Sequence, residues 1–315
     1  MAPLSPQALV AQETIEPRTE QTCFLVGTAP VNWNNDDVPG WAPRVPFATM
    51  LSEMAAAGYS GTEYGAGFPT DSSAVRQSLD EHGLQLCGSY QWLRLTDDAT
   101  SAVEQEGLES TLELLAESGA RHLIVATAMT TERIQLAGHV PSDGSAGIDD
   151  QAWDALARNL ATVTARAARW NIKTHYHNHV GTYVETPDEV EQLISLLPGT
   201  GADLCFDTGH YAYGGGDPTG FVAEHSALIG YLHLKDVDPV VLIEARDQGW
   251  SFLQALRHCI FCEFGDGIVD IPRVISTLGE AGYDGWVIVE QDTSGQPAIE
   301  SARASREYLR TRCEI

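Results

Sequence analysis

The chain has 315 residues, of which 43% are hydrophobic and 20% are charged, and its formal net charge is −26. This composition supports a large buried core, and no run of 18 or more apolar residues predicts a membrane span. The negative charge repels nucleic-acid phosphates and anionic membrane surfaces, so neither is expected as a partner.

Residues 1–20 lack the basic start and the apolar stretch of a secretory signal, so we expect a cytoplasmic protein. We expect these residues to form a flexible N-terminal arm and residues 21–315 to form one domain. The six cysteines are scattered and show no disulfide framework. Cys259 and Cys262 lack a second Cys/His pair at zinc-finger spacing, which argues against a structural zinc there.

From about residue 22 onward, short apolar runs rich in β-forming residues alternate with longer amphipathic stretches, which is typical of repeated βα units. Eight runs are predicted as strands, over residues 22–26, 58–63, 85–88, 122–126, 173–177, 202–206, 230–234 and 285–290. Helices are predicted over residues 46–57, 72–82, 101–118, 149–170, 186–197, 218–225, 271–282 and 298–308. Eight βα units without a break in composition predict an α/β fold, a closed (β/α)8 TIM barrel.

Two connections are longer than a βα unit requires. Residues 127–147 follow the fourth strand, and residues 236–267 follow the seventh. Long loops at the carboxyl ends of barrel strands usually bind substrate or form a lid. We expect both to cover the pocket.

Three of the predicted strands end in a side chain that can bind a divalent metal ion. Asp207, His233 and Glu290 close the runs of the sixth, seventh and eighth strands. The carboxyl ends of parallel barrel strands meet at one mouth, so these three side chains are predicted to bind one ion. Mixed carboxylate and imidazole ligands suit Mn²⁺ or Co²⁺, which we favour, as well as Mg²⁺ or Zn²⁺.

The sequence leaves the fourth ligand open. His175, His177 and His179 alternate along the fifth strand and its extension, and Glu185 lies just before the next helix. We favour Glu185 as the ligand, with His177 as its competitor and His179 behind it. Inward-facing histidines that do not bind the ion would bind substrate, so His177 and His179 are also candidate substrate-binding residues.

Several segments resemble a known family. They are Tyr176-His177-Asn178-His179-Val180-Gly181-Thr182, Phe206-Asp207-Thr208-Gly209-His210, His233-Leu234-Lys235-Asp236, Gly265-Asp266-Gly267 and Gly285-Trp286-Val287-Ile288-Val289-Glu290. Together they resemble the sugar-phosphate isomerase/epimerase-like barrels, also called xylose-isomerase-like, and within these the inosose (2-keto-myo-inositol) dehydratase family. Many members carry Glu-Asn-His where this chain has His177-Asn178-His179, and inosose dehydratases tend to carry Gln in place of Glu185. The difference is consistent with a carboxylate relocated to position 185.

The resemblance implies a divalent-metal-dependent lyase of carbohydrate metabolism, in inositol catabolism. The enzyme would dehydrate a keto-cyclitol or keto-sugar by removing the proton α to a metal-bound carbonyl. The alternatives are an isomerase or epimerase of keto-sugars and a lyase subunit acting on 3-keto-glycosides. A barrel that only binds a sugar is disfavoured by the intact ligand set, and a nuclease by the charge. Barrels of this family often pair, so the loop over 236–267 would serve as a lid or as a homo-oligomer interface.

The resemblance also suggests that metal-site carboxylates carry protons, which makes Glu290 and Glu185 the candidate bases. His210 or Lys235 would then protonate the leaving hydroxyl group. The alternatives are that Lys235 is paired with Asp236 and that His210 only caps a helix.

The pocket wall has four further candidates. By resemblance, Trp33, Asn34 and Glu63 line it, although Trp33 suits a packed core almost equally well. Arg246, in the long loop after the seventh strand, would bind a polar substrate group, with simple surface exposure as the alternative.

Overall fold

The computed structural model describes residues 24–315. The predicted arm over residues 1–20 and the first two residues of the predicted first strand lie outside this range. None of the helices between residues 24 and 315 combines the length and the apolar character that a membrane crossing requires.

Eight parallel strands close into a barrel, which confirms the predicted fold. In chain order the strands are β1 (Leu25–Thr28), β2 (Gly61–Tyr64), β3 (Gln85–Leu93), β4 (His122–Thr127), β5 (Lys173–His177), β6 (Asp203–Asp207), β7 (Ile229–Leu234), the short β8 (Asp236–Val237) and β9 (Phe261–Cys262), and β10 (Trp286–Val289). The barrel order is β1-β10-β7-β6-β5-β4-β3-β2, while β8 and β9 form a separate antiparallel ribbon.

Helices follow the strands around the outside of the barrel. They are α1 (Phe47–Ala57), α2 (Ser72–His82), α3 (Asp98–Glu117), α4 (Thr131–Leu136), α5 (Asp150–Ala168), α6 (Pro187–Leu196), α7 (Thr208–Tyr213), α8 (Pro218–His225), α9 (Pro239–Gln248), α10 (Phe252–Arg257), α11 (Ile271–Glu280) and α12 (Ala298–Arg312). Local chemistry sets several of their ends. Thr186 and Glu189 form a capping box at the start of α6, because each side chain accepts the other's backbone N–H.

Several predicted strand boundaries differ from the structure by a residue or two, and two differ by more. The second strand begins at Gly61 rather than at Gly58, because Gly58 ends α1 in a left-handed conformation with φ of 91°. The third strand continues to Leu93 rather than ending at Gly88, and it stays paired with β4 as far as Thr127. This extension carries Tyr90 and Trp92 toward the barrel mouth.

The core has two parts. A large apolar cluster fills the space between the strands and the helices. A smaller cluster lies inside the barrel and consists of Ala29, Cys87, Ile124, Cys205, Tyr231, Trp286 and Ile288. This inner apolar cluster fills the barrel below the polar strand ends. The polar side chains at those ends therefore lie at the mouth.

The two long connections contain secondary structure that the sequence did not predict. Residues 127–147 include α4, and residues 236–267 include α9, α10 and the ribbon of β8 and β9. Asp236 anchors the second connection, since its buried carboxylate accepts the backbone N–H groups of Val237, Gly265, Gly267 and Val269 at 2.9–3.1 Å. The Gly-Asp-Gly segment thus wraps around a carboxylate.

Replacing Asp236 with alanine is expected to destabilise the protein by about 2–3 kcal/mol, because several backbone donors lose their acceptor at once. Urea denaturation measures the change. Asp266→Ala is the matched control, because this aspartate lies in the same loop and is exposed; its effect should stay within about 0.5 kcal/mol. Equal stability of the two variants would contradict the anchoring role.

Candidate active site

The three predicted metal ligands converge at the mouth of the barrel. Asp207 ends β6 and is in register with His233 on β7, while Glu290 directly follows β10. The Nδ1 atom of His233 lies 3.3 Å from Glu290 Oε2 and 4.0 Å from Asp207 Oδ2. All three side chains are buried, so their donor atoms face one another rather than solvent.

Two further side chains join this group. His177, at the end of β5, places Nε2 3.3 Å from Asp207 Oδ2. Glu63, on β2, places Oε1 3.0 Å from Nε2 of His233. The ligand atoms of Glu63, His233 and Glu290 lie within 4.8 Å of one another. We predicted that Glu63 lines the pocket wall, and the structure brings its carboxylate into the cluster itself.

The donor set fits a divalent metal ion. Among residues 24–315, both ring nitrogens of His177 and Nδ1 of His233 are buried without an aligned hydrogen-bond partner. Such unsatisfied groups are costly inside a protein. Burial lowers the pKa of His177 to about 4, so this imidazole is neutral and has a lone pair to offer. Asp207, His233 and Glu290 would hold the ion, with His177 or Glu63 as the fourth ligand.

Lys235 lies beside these carboxylates and is 2% exposed. Its Nζ is 3.2 Å from Asp207 Oδ2 and 3.2 Å from Asp292 Oδ1, and it also contacts the Glu290 carboxylate. Burial opposes its charge, but the Asp207, Asp292 and Glu290 carboxylates hold the pKa of Lys235 well above its ordinary value. The alternative that Lys235 pairs with Asp236 is wrong, because the Asp236 carboxylate accepts backbone N–H groups instead.

Local backbone structure brings Lys235 this close. Asp207 is the N-cap of α7 and accepts the backbone N–H of His210 at 2.7 Å. At Gly209, an added Cβ would lie 2.3 Å from Cβ of Lys235. Glycine is therefore required at this position for α7 to pack against the lysine.

The predicted acid His210 packs against other site residues. Its ring lies 3.6 Å, centroid to centroid, from that of His179, and its Nε2 is 3.4 Å from Lys235 Nζ. His210 is fully buried. It therefore packs against both His179 and Lys235. The alternative that His210 caps the helix is wrong, because the N-cap of α7 is Asp207 and His210 only donates its backbone N–H to that cap.

The cluster opens into a pocket of about 290 Å³. The lining residues are Ala29, Pro30, Val31, Asn34, Asn35, Asp36, Asp37, Glu63, Tyr64, Gly65, Ala66, Tyr90, Trp92, His177, His179, Lys235, Glu290 and Asp292. Trp92 and His179 meet edge to face at a centroid distance of 4.8 Å. The pocket thus has an acidic floor formed by the candidate metal ligands, and an aromatic wall.

The predicted substrate-binding residues divide into two groups. His177, His179, Glu63 and Asn34 line the pocket, and Asn34 also ties down the loop at Val45 through both its amide atoms. The structure does not bring the other two there.

Trp33 donates its indole N–H to Glu53 at 2.6 Å and lines a neighbouring cavity instead. Arg246 donates to the backbone carbonyls of Gly138 and Tyr213, both at 3.0 Å. Its guanidinium therefore joins α9 to the loop after β4 and to α7.

Glu185 does not join the cluster of candidate metal ligands. Its two carboxylate oxygens accept the backbone N–H groups of Gly138 and Gly181, each at 2.7 Å. The fully buried Arg133 lies 3.7 Å away and pairs with Glu189 at 2.6 Å. The carboxylate therefore links the loops after β4 and β5, which corrects its prediction as fourth ligand and as base.

Glu185→Gln is expected to change how stability depends on pH. Burial raises the pKa of Glu185 from 4.5 to about 7. The folded protein then keeps a proton that the unfolded chain loses, so the contribution of Glu185 to stability is full below about pH 4.5 and declines up to about pH 7. Relative to the variant, the wild type should lose up to roughly 3 kcal/mol across this interval in urea denaturation. A constant difference would show that folding does not raise the pKa of Glu185.

Sequence reasoning missed several pocket residues. Asp292 lies two positions beyond Glu290, and the alternation of the last strand would have found it had the strand been extended. Tyr90 and Trp92 were missed because the third strand was predicted to end at Gly88. Their own alternation with Gln91 was the available signal.

Comparison with known proteins supports the resemblance. A profile of the family described as "Xylose isomerase-like TIM barrel" matches residues 51–312. The Rhizopine catabolism protein MocC of Rhizobium meliloti is 36% identical over 93% of this chain and 89% of its own length. The inosose dehydratase of Geobacillus thermodenitrificans is 31% identical over 92% of this chain and 97% of its own length.

The solved structure of the IOLI protein with a bound zinc atom superposes with a TM-score of 0.70 at 12% identity, over 92% of this chain and 98% of that one. At this identity the likeness concerns the fold. The profile and sequence matches together show that the chain belongs to the xylose isomerase-like TIM barrel family.

Proposed function

We propose that the protein is a metal-dependent lyase that dehydrates a keto-cyclitol. The observation that carries the proposal is the buried cluster of Asp207, His233, Glu290 and His177, with Lys235 in contact with two of its carboxylates. Relatives named inosose dehydratase align over nearly the whole chain, which favours this reaction over epimerisation.

Mn²⁺ or Co²⁺ is the proposed ion. Asp207, Glu290 and His233, with either His177 or Glu63 as a fourth ligand, form a mixed oxygen and nitrogen donor set, which suits these ions with positions left open for substrate. When bound, the ion would polarise the substrate carbonyl and so acidify the neighbouring C–H bond.

The protein's own groups would move the protons. Glu290 faces the pocket and is the proposed acceptor of the proton α to the carbonyl. Lys235, between Glu290 and Asp292, would give a proton to the β-hydroxyl, which leaves as water while the carbon–carbon double bond forms. Both side chains line the pocket, so each can reach the substrate.

The aromatic wall of the pocket is proposed to hold the ring. Tyr90, Trp92 and His179 present aromatic edges and faces to the pocket. Aromatic surfaces pack well against the C–H faces of a cyclitol. His179 would form a hydrogen bond with one of its hydroxyl groups. Asn34 and Glu63 complete the wall.

Turnover of 2-keto-myo-inositol tests the proposal. The protein loaded with Mn²⁺ or Co²⁺ should produce the ultraviolet absorbance of a dione, while the metal-free protein should not. Reaction in D₂O separates the alternatives, because epimerisation or isomerisation would place deuterium on the α carbon without loss of water. Absence of dione with either ion would exclude this substrate.

We also propose a cytoplasmic location and a small-molecule partner. The cysteines described as free thiols, at 87, 205, 259, 262 and 313, are typical of a reducing compartment such as the cytoplasm. A keto-cyclitol is the proposed partner, and the charge of −26 disfavours nucleic acid and anionic membranes. Light scattering at several protein concentrations would show whether the chain forms a homo-oligomer.

A further inference from the structure

A thiol lies directly below the candidate metal centre. Cys205 precedes Asp207 by two positions on β6, so both side chains point into the barrel. Cys205 is fully buried within the inner apolar cluster. Its Sγ and one ring nitrogen each from His177 and His233 all lie within 4.8 Å of one another. The barrel therefore holds a second, deeper ligand set that shares two histidines with the first.

The two histidines of this deeper set have ring nitrogens that are free to bind an ion. Both nitrogens of His177 and Nδ1 of His233 lack an aligned partner within the described part of the chain, and neither side chain is more than 1% exposed. Buried polar atoms of this kind call for a partner. Two imidazoles and one thiolate form a ligand set typical of Zn²⁺, whereas harder ions prefer the carboxylates above.

We propose that His177, Cys205 and His233 form an inhibitory site for thiophilic divalent ions such as Zn²⁺ and Cd²⁺. On binding, the Cys205 thiol releases its proton to solvent and its sulfur bonds to the ion, with no change of oxidation state. An ion held there occupies His233, which the upper centre requires. Zn²⁺ would therefore compete with the ion that supports turnover, and this inhibition, unlike the site itself, rests on the proposed function.

X-ray absorption at the zinc edge tests the site without any activity measurement. The wild type with one equivalent of Zn²⁺ should show one sulfur neighbour at about 2.3 Å beside nitrogen or oxygen neighbours at about 2.0–2.1 Å. In Cys205→Ser the sulfur neighbour should disappear and Zn²⁺ should bind at least about tenfold more weakly. A wild-type spectrum with only nitrogen and oxygen neighbours would overturn the proposal, whether or not the variant folds.

Two control variants assign the sulfur. Cys87 is fully buried in the same inner cluster, and Cys262 lies in the ribbon of the long loop. Cys87→Ser and Cys262→Ser should each keep the sulfur neighbour, and its loss in either one would place the site elsewhere.

Inhibition of the Mn²⁺-loaded enzyme tests the consequence. Cys205→Ser should need roughly tenfold more Zn²⁺ than the wild type for the same loss of rate, and equal sensitivity would overturn the inhibitory role. If the protein shows a zinc–sulfur bond but does not turn over the keto-cyclitol, the zinc site is supported and only the proposed function is refuted.

Discussion

Asp207→Asn should bind at most a trace of divalent metal and should lower kcat/KM by roughly 10³-fold or more, since a metal ion supplies several kcal/mol of charge stabilisation. Asp207 is the most connected carboxylate of the cluster. Its Oδ2 lies 3.3 Å from His177 Nε2 and 3.2 Å from Lys235 Nζ. The amide removes the negative charge and turns a donor toward the lysine, so the ion and Lys235 would each lose one of their carboxylate partners.

The substitution is chosen to spare the fold. The Oδ1 atom that caps α7 by accepting the His210 N–H at 2.7 Å has an equivalent oxygen in asparagine. Asp203→Asn is the matched control, because Asp203 begins the same strand and is exposed. Metal content by mass spectrometry and steady-state kinetics are the two measurements. Normal metal content in Asp207→Asn would refute the site as described.

Lys235→Met should separate proton transfer from metal binding. We expect kcat to fall by about 10²- to 10⁴-fold, the usual contribution of a general acid or base. Metal affinity should be equal to or higher than that of the wild type, because the removed ammonium group competes with the ion for Asp207 and Glu290. Both variants should therefore lose activity, but Lys235→Met should keep its metal ion whereas Asp207→Asn should lose it.

The chain offers an exact control for this variant, since Lys173 is its only other lysine. Lys173 begins β5 and is exposed, so Lys173→Met should leave both kcat and metal affinity unchanged. The metal-free Lys235→Met protein should also be less stable than the wild type, because Asp207, Glu290 and Asp292 lose their common cation. A kcat within tenfold of the wild type would show that Lys235 only balances charge.

Local sequence patterns predicted most of the fold. Apolar runs with a polar last residue placed Asp207 and His233 at strand ends, and the helix predicted over residues 186–197 corresponds to α6. The helices inside the two long connections were not predicted. Their sequences lack strong periodicity, and their positions depend on contacts such as those of Asp236 and Arg246 with distant backbone groups.

The sequence determined that Asp207, His233 and Glu290 share one mouth, because alternation along a strand and closure of a parallel barrel leave their side chains no other place. Only the tertiary structure decided that Glu63 joins them and Glu185 does not. Beyond the end of a strand no alternation sets the direction of a side chain, so a carboxylate goes where nearby amides and cations stabilise it. For Glu185 these are Gly138, Gly181 and Arg133, which come from other parts of the chain.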